Sequence, residues 1–201
     1  MFSHLRPAIT MIAAFTLLTG VVLPVAFVEI GAIAMPYQAG GSFIQRDGKV
    51  VGSALIGQSF TSDKYFWGRP SALMGTDPKD STKQVATPYD ASESGASNLA
   101  PTSKALLDRV KGDVGKYGNT DVPTDAVTSS GSGLDPDISP ENAIRQIARV
   151  AKARGVQVEV VQGLVAQHTR GLEIGLLGAA RVNVLELNLA LDDATKTASA
   201  H

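Results

Sequence analysis

The sequence contains no cysteine, so disulfides contribute nothing to stability and thiolate-rich zinc sites are excluded. Histidine is nearly as scarce. His4, His168 and His201 are too scattered along the chain to suggest a metal cluster, and no metal site is expected. Neither sign of charge is in excess: 18 Lys and Arg stand against 19 Asp and Glu, for a net charge of -1. That balance leaves no basic footprint, so nucleic acid is not an expected partner.

In one stretch charge is missing altogether. From Pro7 to Val28 there is no Asp, Glu, Lys or Arg, with Arg6 just before and Glu29 just after. A bilayer core about 30 Å thick takes roughly 20 apolar residues of helix, and Ala8–Val28 supplies them. The rival reading is a cleaved signal peptide, with Arg6 as its basic region and Ala32-Ile33-Ala34 as a small-x-small cleavage site. The h-region of such a peptide usually runs about 7–15 residues, and length therefore favours an uncleaved anchor. Flanking charge sets its orientation: Arg6 lies on one side, while no Lys or Arg occurs from Met35 to Gln45. The positive-inside rule places residues 1–7 in the cytoplasm, a transmembrane anchor at 8–34, and a domain of residues 35–201 outside. A bacterial inner membrane with a periplasmic domain satisfies this.

Within the anchor, Pro24 removes a helical hydrogen bond and predicts a kink. Thr16 and Gly20 have the small-xxx-small spacing that lets two helices approach closely. Thr16, Gly20 and Pro24 are the helix-packing candidates.

The remainder is long enough for one domain with a real core but hardly two. Asp47-Gly48 between Ser42–Arg46 and Lys49–Ile56 reads as a hairpin with a type I′ turn. Gln58 to about Pro101 reads as loop, with Tyr65, Phe66 and Trp67 as a core plug rather than a ligand site. Lys104–Lys116 reads as an amphipathic helix. Ser139 caps another with Pro140 at its first position. Its stripe is Ile144, Ile147, Ala148 and Ala151, and Gly155 ends it. A further helix spans Val158 to His168. Leu185, Leu187, Leu189 and Leu191 alternate with more polar residues, which argues for a strand, though Asn183 equally suits the cap of a terminal helix. The expected fold is a single N-terminal transmembrane helix plus one mixed α/β (α+β) soluble domain.

Catalytic motifs fail one by one. No Gly-Lys pair is followed by Ser or Thr, so there is no P-loop. Gly57-Gln58-Ser59-Phe60-Thr61 opens like a nucleophile elbow, but Thr61 stands where the sharp turn needs Gly. Asp135 and Asp137 open like a calcium loop, but Pro140 occupies the position that demands Gly. His168 alone could serve the domain's body as a base, and it reads better as a polar helix-end residue. No catalytic residue is assigned and no cofactor-binding residue is known. The Gly131–Ser139 segment, with Gly131, Gly133, Asp135 and Asp137, is either a rigid loop before a capped helix, the favoured reading, or a partner-contacting loop.

Several longer blocks occur in order. They include Leu5-Arg6-Pro7-Ala8, Leu17-Leu18-Thr19-Gly20, Gly52–Phe60, Tyr65–Ala72, Gly95–Leu99, Ser130–Ser139 and Val182–Asp192. Across nearly the whole chain these resemble the C-subunit family of the Kdp potassium-transporting P-type ATPase. The resemblance implies a bacterial inner-membrane complex for high-affinity potassium uptake. Its other members would be a potassium-channel-like subunit, a P-type ATPase subunit and a very small fourth subunit, all among membrane lipid. It also implies an accessory role in assembly, and that of a catalytic chaperone raising the ATP affinity of the hydrolytic subunit. Family members often carry Gln, linked to nucleotide, where Val160 stands here, and an aliphatic side chain cannot hydrogen-bond a ribose or phosphate. A periplasmic domain would also be separated from cytoplasmic ATP. Scaffolding is therefore the favoured role. The alternative is an anchored periplasmic hydrolase using Ser59 or Ser132, or a binding protein unrelated to transport.

Overall fold

The structure, a computed structural model, describes residues 2–118 and 121–199, and the chain divides after Ser53 into two units. His201 lies outside the described residues. The first unit is dominated by one apolar helix, Leu5–Ala34, of 30 residues. At 1.5 Å per residue this is about 45 Å long, more than a hydrocarbon core requires. Its regular parts are α1 (Leu5–Leu17) and α2 (Leu23–Ala34), joined by a π turn over Leu18–Val22. Pro24 explains the turn: its ring would collide with the carbonyl four residues back. Widening the preceding turn removes that clash, and Leu23 N–H donates to Leu18 O, five residues earlier. The hydroxyls of Thr10 and Thr19 donate back to Arg6 O and Phe15 O, so neither is left unsatisfied in an apolar surround.

Past the helix, α3 (Pro36–Ala39) leads into the hairpin of β1 (Phe43–Arg46) and β2 (Lys49–Ser53). Asp47 and Gly48 both have positive φ, 52° and 74°, as the expected type I′ turn requires.

The second unit is a mixed helix and strand domain. Its hairpin of β3 (Met74–Asp77) and β4 (Asp80–Ala86) lies inside the stretch the sequence presents as loop. These strands are short, largely exposed and polar, so no apolar alternation announces them. The turn is held by Asp77, whose Oδ1 accepts from Lys79 N–H. Then follow α4 (Lys104–Lys116), α5 (Thr124–Val127), β5 (Asp137–Ile138), α6 (Pro140–Arg154), α7 (Val158–His168), β6 (Thr169–Arg170), β7 (Arg181–Asn183) and α8 (Val184–Ser199). The last three strands form an antiparallel sheet in the order β5-β7-β6. Helices α6, α7 and α8 bury their apolar sides with it around Phe66, Ile147, Val150, Val161, Val182 and Leu187.

The start and end of α6 follow the expected chemistry. Ser139 Oγ accepts from Asn142 N–H, Pro140 fills the first turn, and Gly155 ends the helix in the left-handed region at φ 68°. Its buried face is rotated from the expected one. Ile147 and Ala151 face inward, but Ile144 is 60% exposed and Ala148 faces solvent, while Asn142, Ala143, Gln146 and Val150 are buried. An inward face carrying two amides cannot be found by apolar periodicity alone.

The strand reading of Leu185–Leu191 is overturned: the segment is helical, and Asn183 Oδ1 accepts from Glu186 N–H. Val184, Leu185, Leu187, Asn188 and Leu191 are buried, with the three- and four-residue spacing of one helix face. The buried Asn188 broke the apolar pattern and let an accidental alternation dominate.

Candidate functional site

A loop segment, Asp63–Trp67, which turns at Asp63 and Lys64, is gripped by side chains from two helices. Asn188 on α8 holds Phe66 twice: Phe66 N–H donates to its Oδ1 at 2.8 Å, and its Nδ2 donates to Phe66 O at 3.0 Å. Gln146 on α6 does the same for Trp67, at 2.8 and 3.1 Å. Arg149 donates to Asp63 O and Tyr65 O, and Arg154 donates to Lys64 O. The segment thus has the backbone satisfaction of a strand without a neighbouring strand. The aromatic trio divides accordingly. Phe66 is fully buried in the core, whereas Trp67 lies under the Arg149 guanidinium at 3.6 Å and Tyr65 under that of Arg154 at 4.8 Å.

Beside this segment opens a cleft of about 990 Å³, lined by Trp67, Arg69, Tyr89, Lys116, Arg145 and Arg149 among others. Its cations already have protein partners. Arg69 pairs with Asp135 at 2.8 Å, Lys116 pairs with Asp113 at 2.7 Å, and Arg145 donates to Asp121 O and Tyr117 O. Burial pulls the Arg149 guanidinium below its ordinary value, partly opposed by Asp63. Burial likewise raises the Tyr117 phenol. The arrangement is suited to holding loops in place.

Tyr89 is part of the same scaffold. Its hydroxyl donates to Arg69 O at 2.6 Å, and burial, reinforced by the Asp135 charge, pushes its pKa from 10.0 up to about 12. The folded chain holds this proton more tightly than the unfolded one. The contribution is therefore complete below pH 10 and is lost as pH rises through about 12. Tyr89→Phe should cost about 1 kcal/mol at neutral pH and flatten the alkaline fall in thermal stability. An unaltered alkaline limb, followed by circular dichroism, would contradict this.

The Gly131–Ser139 segment is a junction. Gly133, at φ 70°, leaves no room for a Cβ beside Leu73, and its carbonyl accepts from Ser71 Oγ. Leu134 O accepts from Gly57 N–H. Asp135 accepts from Arg69 and from Asp137 N–H. Asp137 accepts from Asn183 Nδ2 and pairs with Arg181 at 3.3 Å, and burial raises its carboxyl pKa. Gly131 is exposed, with open space around it. Arg69, Tyr89, Gln146 and Asn188 were not singled out from sequence. For Gln146 and Asn188 the only signal is composition, amides set on otherwise apolar helix faces.

No acid–base pair accompanies the serines among the described residues. Ser59 lines the cleft, but His168 does not; its Nδ1 lies 2.9 Å from Leu164 O at the end of α7. Ser132 Oγ accepts from Leu134 N–H. No group of three His, Asp or Glu among the described residues could hold a metal. Val160 lies apart from the cleft, 47% exposed, in a smaller pocket with Val156, Leu164 and Leu191. Thr16, Gly20 and Pro24 all face outward on the apolar helix, and Gly20 lies inside its π turn.

One candidate spanning helix and a domain whose polar groups clamp its own segments define a membrane-associated protein. Residues 5–193 match the family described as KdpC: K+-transporting ATPase, c chain. The chain is 56% identical over 198 residues to the potassium-transporting ATPase KdpC subunit of Rhodopseudomonas palustris (strain BisB18), covering 96% of this chain and 100% of that one. It is 57% identical to the KdpC subunit of Bradyrhizobium diazoefficiens, covering 96% and 98%. To that of Methylorubrum extorquens it is 50% identical, covering 98% and 100%. The chain belongs to the KdpC family, the C subunits of the potassium-transporting ATPase complex.

Proposed function

We propose that the protein is a non-catalytic accessory subunit of a high-affinity, ATP-driven potassium uptake complex in a bacterial inner membrane. Residues 1–7 are cytoplasmic, 8–34 form the anchor, and 35–201 lie in the periplasm. Its partners are the potassium-channel-like subunit, the P-type ATPase subunit and the small fourth subunit. The observation carrying this reading is the family match across residues 5–193. Its role is assembly and stabilisation of the complex. The family's chaperone role, raising ATP affinity, is the second reading. Val160 itself offers no hydrogen bond, and its pocket, whose polar side chains are Gln157 and Thr195, has no Lys or Arg in its lining to meet a phosphate, which speaks against nucleotide contact there.

Where Kdp is the only potassium importer, deleting this gene should abolish growth at micromolar potassium and spare it at millimolar potassium. Normal growth at micromolar potassium would overturn the assignment. The full chain in detergent, titrated with ATP, should give no saturable signal. A stoichiometric one would restore the chaperone reading.

A further inference from the structure

Between β6 and β7 the chain makes a ten-residue excursion, Gly171 to Ala180, and every residue of it is exposed. Its end is a closed turn: Glu173 N–H donates to Leu177 O at 2.8 Å and Leu177 N–H donates to Glu173 O at 2.9 Å. The turn presents aliphatic side chains outward. Ile174 is 93% exposed, Leu176 81%, and Leu172 and Leu177 are about half exposed. Such a cluster on a soluble face marks an interaction site more often than chance placement does.

A second, independent observation concerns Ile174 itself, which sits at φ 55°. For a β-branched residue the left-handed region is a genuine outlier, and a loop free to choose would place Gly or Asn there. Backbone strain of this kind concentrates at functional positions. Here the strain accompanies the most exposed large apolar residue of the domain. Nothing inside the fold gains from that side chain.

The chemistry of the tip discriminates between occupants. Residues 171–180 contain no Trp, Tyr, Lys or Arg, the residues that anchor segments in a lipid interface. The charges at its base are paired: Glu173 with Arg181, Arg181 with Asp137, and Arg170 with Glu186. A tip whose large side chains are aliphatic and whose one charge, Glu173, is paired suits a dry protein socket, where an unpaired charge would be costly.

We infer that the Leu172–Leu177 turn is a docking knob that inserts Ile174 and Leu176 into an apolar socket on another subunit of the complex. This rests on the proposed subunit role and adds to it the contact point.

The absence of native cysteine makes a single-site label unambiguous. Leu176→Cys, labelled with benzophenone maleimide and photolysed in the assembled complex, should cross-link to a partner subunit. Ser81→Cys on the exposed β4 should not. Separately, Ile174→Asn with Leu176→Asn should leave the thermal midpoint unchanged or higher, because Asn tolerates the left-handed region. It should reduce recovery of partner subunits with a tagged full chain by roughly tenfold or more. Recovery unchanged by the double variant, with no cross-link, overturns the knob while leaving the subunit role intact. Wild-type chain that recovers no partner overturns both. Cross-links only between copies of this chain, or only to lipid, overturn the knob in favour of self-association or bilayer contact.

Discussion

Replacing Asn188 with leucine is expected to destabilise the protein by about 3–5 kcal/mol, despite exchanging a polar core residue for an apolar one of similar branched shape. The side chain is 1% exposed and serves both polar groups of Phe66. Leucine removes both partners and leaves a backbone N–H and C=O buried without replacement. Each stranded group costs about 1–3 kcal/mol, whereas deleting a complete pair is close to neutral. The asymmetry decides the sign. For a chain of this size the thermal midpoint should fall by roughly 10 °C. Thermal unfolding of the full chain in detergent checks it. A midpoint within about 2 °C of wild type would mean that Phe66 is held by packing alone.

Gly57→Ala is the second large effect, expected at about 2–4 kcal/mol. A Cβ at this position would lie 2.5 Å from both Asp135 O and Tyr89 Cε1. The first is backbone and the second belongs to a ring pinned by its hydroxyl to Arg69 O. Neither is the free end of a flexible side chain. Relief requires Gly57 to retreat, which breaks its N–H donation to Leu134 O at 2.8 Å. Combining Gly57→Ala with Tyr89→Phe should therefore cost less than the sum of the two single changes, since both loosen one junction. Strict additivity in a thermal double-mutant cycle would count against that coupling.

The elements that could be read from sequence were those fixed by local chemistry. The Asp47-Gly48 turn, the Ser139-Pro140 start and Gly155 end of α6, and the limits of α4 and α7 each depend on a few adjacent residues. What escaped was either polar throughout or dependent on distant partners. β3 and β4 are polar on both faces, so nothing local distinguishes them from loop. The inward face of α6 is hidden in the sequence, and Leu185–Leu191 is left open there between a strand and an Asn183-capped helix, for one reason: Asn142, Gln146 and Asn188 are polar residues placed inside. Gln146 and Asn188 look like solvent-facing positions until the backbone of Trp67 and Phe66 is brought to them from 79 and 122 residues away, and Asn142 until it meets Asp125 and Gln146. The same applies to the cleft, whose arginines carry no local signal in sequence and act as clamps in space. The exposed tip left the opposite trace, apolar residues with no periodicity to place them in a core.

The gripped segment also imposes an order of events. Asp63–Trp67 is made early in synthesis, and Asn188 lies 122 residues after Phe66. Until α8 exists, the hydrogen bonds of residue 66 have no partner, and the closure entropy of that long loop has no return. The segment therefore docks late, after α6, α7 and the sheet have formed a surface for it. Contacts made after the rate-limiting barrier slow unfolding more than they speed folding. The two amides thus act as a latch on a domain that is already assembled, setting how long it stays closed rather than how fast it closes.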